Sequence, residues 1–200
     1  MDKSLLYVHG MGGSAAEAEQ FAPLFPGRDC RGVEYGEPTP WSAPAAIRAA
    51  FEELRARCGC VMLLANSVGA YFSMLALADL PVEKALFVSP LLDMERMILD
   101  MMKRAGVSEN ELRARGEIAQ PPGPALSWKY LDFVRSHPPR WPHPTEILYA
   151  EGDALIPRDT VETFAAANSA GLTVMPGGEH WFHTPEQMAF LGQWVKRVAV

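Results

Sequence analysis

Four short stretches of the chain hold residues whose types and spacing could do chemistry. The first is Val61-Met62-Leu63-Leu64-Ala65-Asn66-Ser67-Val68-Gly69-Ala70, a small-x-Ser-x-Gly pattern between two apolar runs. A serine hydroxyl is a weak nucleophile until a base takes its proton, and it must stand clear of the backbone to reach a carbonyl carbon. A strained strand-to-helix turn provides that exposure. It crowds the positions two before and two after the serine, which must be small, as Ala65 and Gly69 are. The helix that follows would turn its N-terminal amides, Val68 among them, toward a developing negative charge. Two other places fit the pattern: Ala167-Asn168-Ser169-Ala170-Gly171 and, loosely, Gly12-Gly13-Ser14-Ala15-Ala16. Ser169 lies between a helix and a strand, the reverse order, and reads as a helix C-terminal turn ending at Gly171. Ser14 reads as a helix N-cap.

A base and an acid are available downstream. In Leu172-Thr-Val-Met175-Pro-Gly177-Gly178-Glu179-His180 an apolar run ends in a Gly-rich loop that displays a histidine. His180 follows the glycines directly and is preferred over His183, which sits nearer the next helix with Thr184 as a candidate cap. In Ile147-Leu-Tyr-Ala150-Glu151-Gly152-Asp153 an acid stands just past a strand end, where it could orient a histidine and stabilise its imidazolium form. Glu151 and Asp93 are the rival acids, and an Asp in an ordinary turn after Gly is the structural alternative.

The fourth stretch is Tyr7-Val8-His9-Gly10-Met11-Gly12-Gly13-Ser14. It could cradle a phosphate, form a plain turn, or present a backbone amide near Met11 to a carbonyl oxygen. The P-loop lysine is absent and the glycine spacing does not match the dinucleotide fingerprint. Beside Ser67 the third reading is favoured, with His9 organising the loop.

The elements that must position these residues follow from the apolar pattern. Strands are expected at Leu5–Val8, Cys30–Glu34, Val61–Ala65, Ala85–Ser89, Ile147–Ala150 and Leu172–Met175. Helices are expected at Ala15–Phe25, Ala45–Arg57, Val68–Ala78, Arg158–Ala167 and Pro185–Val198. This alternation implies a parallel sheet covered on both faces. Residues 91–141 break the rhythm with a helical stripe (Leu91, Met94, Met97, Ile98, Met101), a polar helix at Ser108–Arg115, a loop at Pro121, Pro122 and Pro124, and a third helix at Trp128–Val134. They are expected to form a small cap within one domain spanning residues 1–200. Each candidate catalytic residue then falls at a strand's C-terminal end, the edge where open α/β sheets place their sites.

Composition narrows the function. The chain has 200 residues, 48% of them hydrophobic, with a net charge of −6, which disfavours nucleic acid and anionic membrane surfaces. The uncharged run Val61–Ala78 approaches the length of a membrane span, but Asn66, Ser67, Gly69 and Ser73 interrupt it, so a buried strand entering a buried helix is expected. With only the short apolar run Leu5–Val8 after Met1-Asp2-Lys3-Ser4, no signal peptide is expected. Cys30, Cys58 and Cys60 are an odd set without metal-ligand spacing and suit a reducing, cytoplasmic compartment. No metal and no cofactor is expected.

On His9-Gly10-Met11-Gly12-Gly13, Ala65-Asn66-Ser67-Val68-Gly69, Gly152-Asp153 and Gly178-Glu179-His180, the chain resembles the α/β-hydrolase superfamily, in particular its compact single-domain bacterial esterase- or lipase-like members. The resemblance runs from Leu5 to Val198 in the order Ser…acid…His. It implies a three-layer α/β/α sandwich with a mostly parallel sheet of about six strands, lacking the family's first two, and a small helical cap. It implies Ser67 as nucleophile, His180 as base, Asp153 as its orienting acid, and the Met11 and Val68 amides as oxyanion hole. Ala65 stands where the family usually has glycine. A serine at the nucleophile position argues against the related dehalogenases and epoxide hydrolases. The expected substrate is a small-molecule carboxylic ester with an apolar part, met by Met94, Met97 and Trp181. Packing of the Met stripe on the sheet is the structural alternative, and Trp41 and Trp128 are further aromatic candidates. A thioesterase, an amidase or a carbon–carbon bond hydrolase would use the same residues, and a non-catalytic binding protein could keep the same fold.

Overall fold

The computed structural model describes residues 3–199, so Met1 and Asp2 of the N-terminal stretch lie outside the described residues. The chain forms two compact units. One joins the described residues up to Leu92 to those from Arg140 on; the other is Asp93–Pro139.

The larger unit is built on six strands: β1 (Lys3–Val8), β2 (Arg28–Val33), β3 (Cys60–Asn66), β4 (Ala85–Val88), and two after the insertion, Thr145–Ala150 and Gly171–Met175. Every pairing between them is parallel. β1 (Leu5 onward), β4 and Thr145–Ala150 are buried almost throughout, as strands covered on both faces must be. β2 is an edge strand and alternates between half-buried and exposed positions. The uncharged run from Val61 to Ala78 resolves into β3 followed by the helix Val68–Leu77, and no helix among the described residues is long and apolar enough to cross a membrane.

Helices cover both faces. The segment after β1 is not the continuous helix its pattern suggests. It is α1 (Ala18–Phe21) with a 3-10 turn on either side, Ala15–Glu17 and Ala22–Leu24. Pro23 lacks the N–H that an α-turn would need there. On the opposite face lie α2 (Ala43–Arg57) and α3 (Val68–Leu77), which follow β2 and β3. The sheet order is β2-β1-β3-β4 and then the two later strands, so the connections after β1 and after β2 run in opposite directions. Right-handed crossovers then place α1 and α2 on different faces. The reversal opens a crevice between the C-terminal ends of β1 and β3.

In Asp93–Pro139, α4 (Met94–Ala105) and α5 (Glu109–Arg115) are followed by an antiparallel pair, β5 (Glu117–Gln120) and β6 (Gly123–Ser127), and by α6 (Trp128–Ser136). Sequence reasoning expected a loop where the hairpin lies. A two-stranded pair has free outer edges, and Pro124 is tolerated on such an edge because no ladder needs its missing N–H. Arg135 on α6 pairs with Glu95 of α4 and with Glu109 of α5, tying the three helices together.

The remaining elements of the larger unit are β7 (Thr145–Ala150), α7 (Arg158–Asn168), β8 (Gly171–Met175) and α8 (Pro185–Val198). α8 buries Leu191, Trp194, Val195 and Val198 on the α1 face of the sheet, against Leu5, Leu64, Leu86 and Leu148. Thr184 caps it, accepting the Gln187 N–H. Cys30, Cys58 and Cys60 are unpaired: half-buried, buried and exposed respectively.

Candidate active site

Ser67 occupies the single residue between β3 and α3, with φ 51° and ψ −121°. An L-residue adopts that left-handed backbone only under constraint from its surroundings. Here the constraint is main-chain. The Ser67 N–H donates to Val88 O at the end of β4, and its carbonyl accepts the Leu91 N–H. Gly69 lets the turn close: a Cβ there would lie 2.5 Å from His9 O and 2.6 Å from Val8 O. Val68 opens α3, so its amide has no partner within the helix.

The His180 side chain reaches this hydroxyl. Its Nε2 is 2.9 Å from Ser67 Oγ and its Nδ1 is 2.7 Å from Asp153 Oδ2. The Asp153 side chain is fully buried and His180 is 5% exposed, so water does not compete for their contact. The other carboxylate oxygen, Oδ1, accepts the amides of Leu155 and Ile156 at 2.8 and 2.9 Å. Two main-chain hydrogen bonds therefore fix the carboxylate independently of the imidazole. The Asp153 and His180 loops are also joined main chain to main chain. Glu151 N–H donates to Met175 O, and Gly152 N–H to Gly178 O. The rival acids have structural roles: Glu151 accepts the Gly177 N–H, and Asp93 caps α4 through the Arg96 N–H. His183 turns its Nδ1 to Trp181 O and is exposed.

The loop after β1 lies on the other side of Ser67. Gly10 and Gly13 close a turn (Gly13 N–H to Gly10 O) with Met11 and Gly12 at its tip. His9 is buried, stacks on Tyr35 at 4.2 Å, and holds Gly10 O with its Nδ1. The Tyr35 hydroxyl donates to the carbonyl of His9 and shares itself with that of Gly10. Met11, Trp181 and Leu155 are exposed apolar side chains, at 54%, 61% and 38%.

These residues surround a cavity of about 630 Å³ in the β1/β3 crevice. Ser67, His180, Met11 and Trp181 line it, together with Leu64, Phe21, Met188 and Leu191 from the sheet and the helices of the α1 face. Met94 (buried) and Met97 (half-buried) belong to α4 in the other unit. Sequence reasoning missed Tyr7 and Glu17, which also line the cavity. The Tyr7 hydroxyl donates to Glu17 Oε2 at 2.5 Å, and burial, followed by this carboxylate, pushes the phenol far above its ordinary range. The spacing Ser14-x-x-Glu17 is that of a capping box, so the pattern alone points to a structural role for Glu17. It does act partly as a cap, accepting the Ser14 N–H at 3.2 Å. No cluster of metal-ligating side chains occurs among the described residues.

No family model matches the chain, and no curated protein sequence matches it. Solved structures do. Est1E from Butyrivibrio proteoclasticus, with ferulic acid bound, superposes with a TM-score of 0.73 at 17% identity, over 98% of this chain and 88% of that one. Mouse alpha/beta hydrolase domain-containing protein 10 gives 0.68 at 14% identity, over 98% and 89%. A Pyrococcus furiosus esterase gives 0.64 at 16% identity, over 99% and 80%. Likeness at these identities is likeness of fold, and the fold is that of the α/β-hydrolases.

Proposed function

We propose that this chain with the α/β-hydrolase fold is a serine hydrolase that cleaves small-molecule carboxylic esters. The observation that carries the reading is the unbroken hydrogen-bond path Ser67–His180–Asp153, with 2.9 and 2.7 Å links, opening into the cavity. His180 Nε2 takes the proton of Ser67 Oγ as the oxygen attacks the ester carbonyl. Asp153 holds the Nδ1–H tautomer and stabilises the imidazolium. The carbonyl oxygen becomes an oxyanion beside the amides of Val68 and Met11. His180 then gives its proton to the departing alcohol, leaving an acyl group on Ser67. A water molecule, deprotonated by His180, attacks that acyl carbon, and the proton returns to Ser67 as the acid leaves.

Apolar walls favour an ester with an apolar part, with the exposed Trp181 among the lining residues. The likeness to Est1E adds aromatic esters to the substrates worth trying. Three unpaired thiols suit a cytoplasmic setting. Exposure to a fluorophosphonate followed by intact mass measurement tests the reading. One adduct on the parent and none on Ser67→Ala is the expected result. A parent that takes no adduct and hydrolyses no ester overturns it.

A further inference from the structure

Among the described residues no cation pairs with the Glu17 carboxylate. Its Oε2 accepts the Tyr7 hydroxyl and its Oε1 the Ser14 N–H. A carboxylate has about four acceptor positions, so about half remain open. The side chain is half-buried and lines the same cavity as Ser67 and His180. No lysine or arginine stands among the lining residues, which include the apolar Phe21, Leu64 and Leu191 and the polar Gln20, Asn66 and His183. His9 does not neutralise it, because its Nδ1 faces Gly10 O and its Nε2 lies 3.6 Å from Glu34, a second carboxylate. Gly13 makes the room: a Cβ there would sit 2.6 Å from Glu17 Oε1 and 3.1 Å from Oε2. The charge is thus lodged against the loop that borders Ser67. Tyr7 and Ser14 satisfy part of the carboxylate, and the cavity that it lines leaves room for a cationic ligand to take the remaining acceptor positions in place of water.

We propose that Glu17 is the anionic end of a substrate subsite that receives an ammonium group, joined by a short apolar chain to the ester cleaved at Ser67. The substrate class is then an ester whose acyl chain ends in an amino group, with the Tyr7 hydroxyl keeping the carboxylate in place. The link to Ser67 rests on the hydrolase reading; the ammonium site itself does not.

Two measurements separate them. The first is a ligand-observed NMR titration of the parent, Ser67→Ala and Glu17→Gln with n-butylammonium and n-butanol at low ionic strength. At least a ten-fold preference for butylammonium is expected in the parent and in Ser67→Ala. In Glu17→Gln, whose one amide oxygen can still accept the Ser14 N–H while its NH2 donates to the Tyr7 oxygen, the preference should fall to within about two-fold. The second compares kcat/KM for aryl esters of 4-aminobutanoic and pentanoic acids in the parent and in Glu17→Gln. Equal binding of amine and alcohol by the parent, binding of neither, or a preference that survives Glu17→Gln overturns the subsite, even if both esters are cleaved. Selective ammonium binding without turnover or Ser67 labelling upholds the subsite and sinks the hydrolase reading instead.

Discussion

The chain writes nearly the same five residues twice. Ala65-Asn66-Ser67-Val68-Gly69 and Ala167-Asn168-Ser169-Ala170-Gly171 both put a serine at φ 51°. One has ψ −121° and joins a buried strand to a buried helix; the other has ψ 36° and ends an amphipathic helix. Ser169 is a left-handed C-cap whose N–H satisfies Ala165 O, a purely local arrangement. Ser67 is held by β4 and the loop after it, through Val88 and Leu91, and its hydroxyl meets His180, 113 positions on. The glycines differ as well. A Cβ at 69 would strike the carbonyls of Val8 and His9, whereas one at 171 would strike the carboxylate of Glu146, a side chain able to rotate away. The motif describes a backbone that small residues permit; the surroundings decide whether the permitted turn becomes a site.

Substitutions can break this contrast. Ser67→Ala should lower ester turnover by roughly 10⁴–10⁶-fold with little change in melting temperature, while Ser169→Ala leaves turnover within about two-fold. A paired kinetic assay reads both, and equal losses would erase the distinction. Asp153→Asn should cost about 10⁴-fold in kcat, because an amide would hold the wrong imidazole tautomer. An unaffected kcat would mean that His180 is oriented by something other than Asp153. Gly69→Ala should destabilise by about 3 kcal/mol, seen as a melting point roughly 5–10 °C lower, since main-chain oxygens cannot step aside. Gly171→Ala should lose less than half of that in the same melting experiment. The smallest effect is expected from Ser169→Gly, a gain of roughly 0.5 kcal/mol as left-handed strain is released, measurable by urea titration. A loss there would mean that the Ser169 side chain contributes more than its backbone costs.

Much of this was legible in the sequence because it depends on local pattern. The six strands and the switch from apolar run to helix at Ser67 follow from periodicity. The order of Ser67, Asp153 and His180 along the chain, and their places at strand ends, follow from the same pattern. His180 and Asp153 do meet, while Glu151 and His183, their neighbours in sequence, turn elsewhere. What periodicity could not convey was pairing. The β5/β6 hairpin hides behind Pro121, Pro122 and Pro124, because a two-stranded ribbon tolerates prolines that a central strand would not. Glu17 was illegible for a different reason. A capping glutamate and a cavity glutamate look the same until Gly13 and Tyr7 are seen packed around the carboxylate.

The main-chain bond from Gly152 to Gly178 joins the acid-bearing loop to the histidine-bearing one. It gives the site a built-in reporter. An amide held in such a bond exchanges its hydrogen for deuterium only when the bond opens. The exchange rate at Gly152 therefore counts how often the histidine loop lets go. If that rate matches those of β7 and β8, acid and base come apart only when the sheet itself does. If it is much faster, the protein spends part of its time with Asp153 and His180 apart and its fold intact.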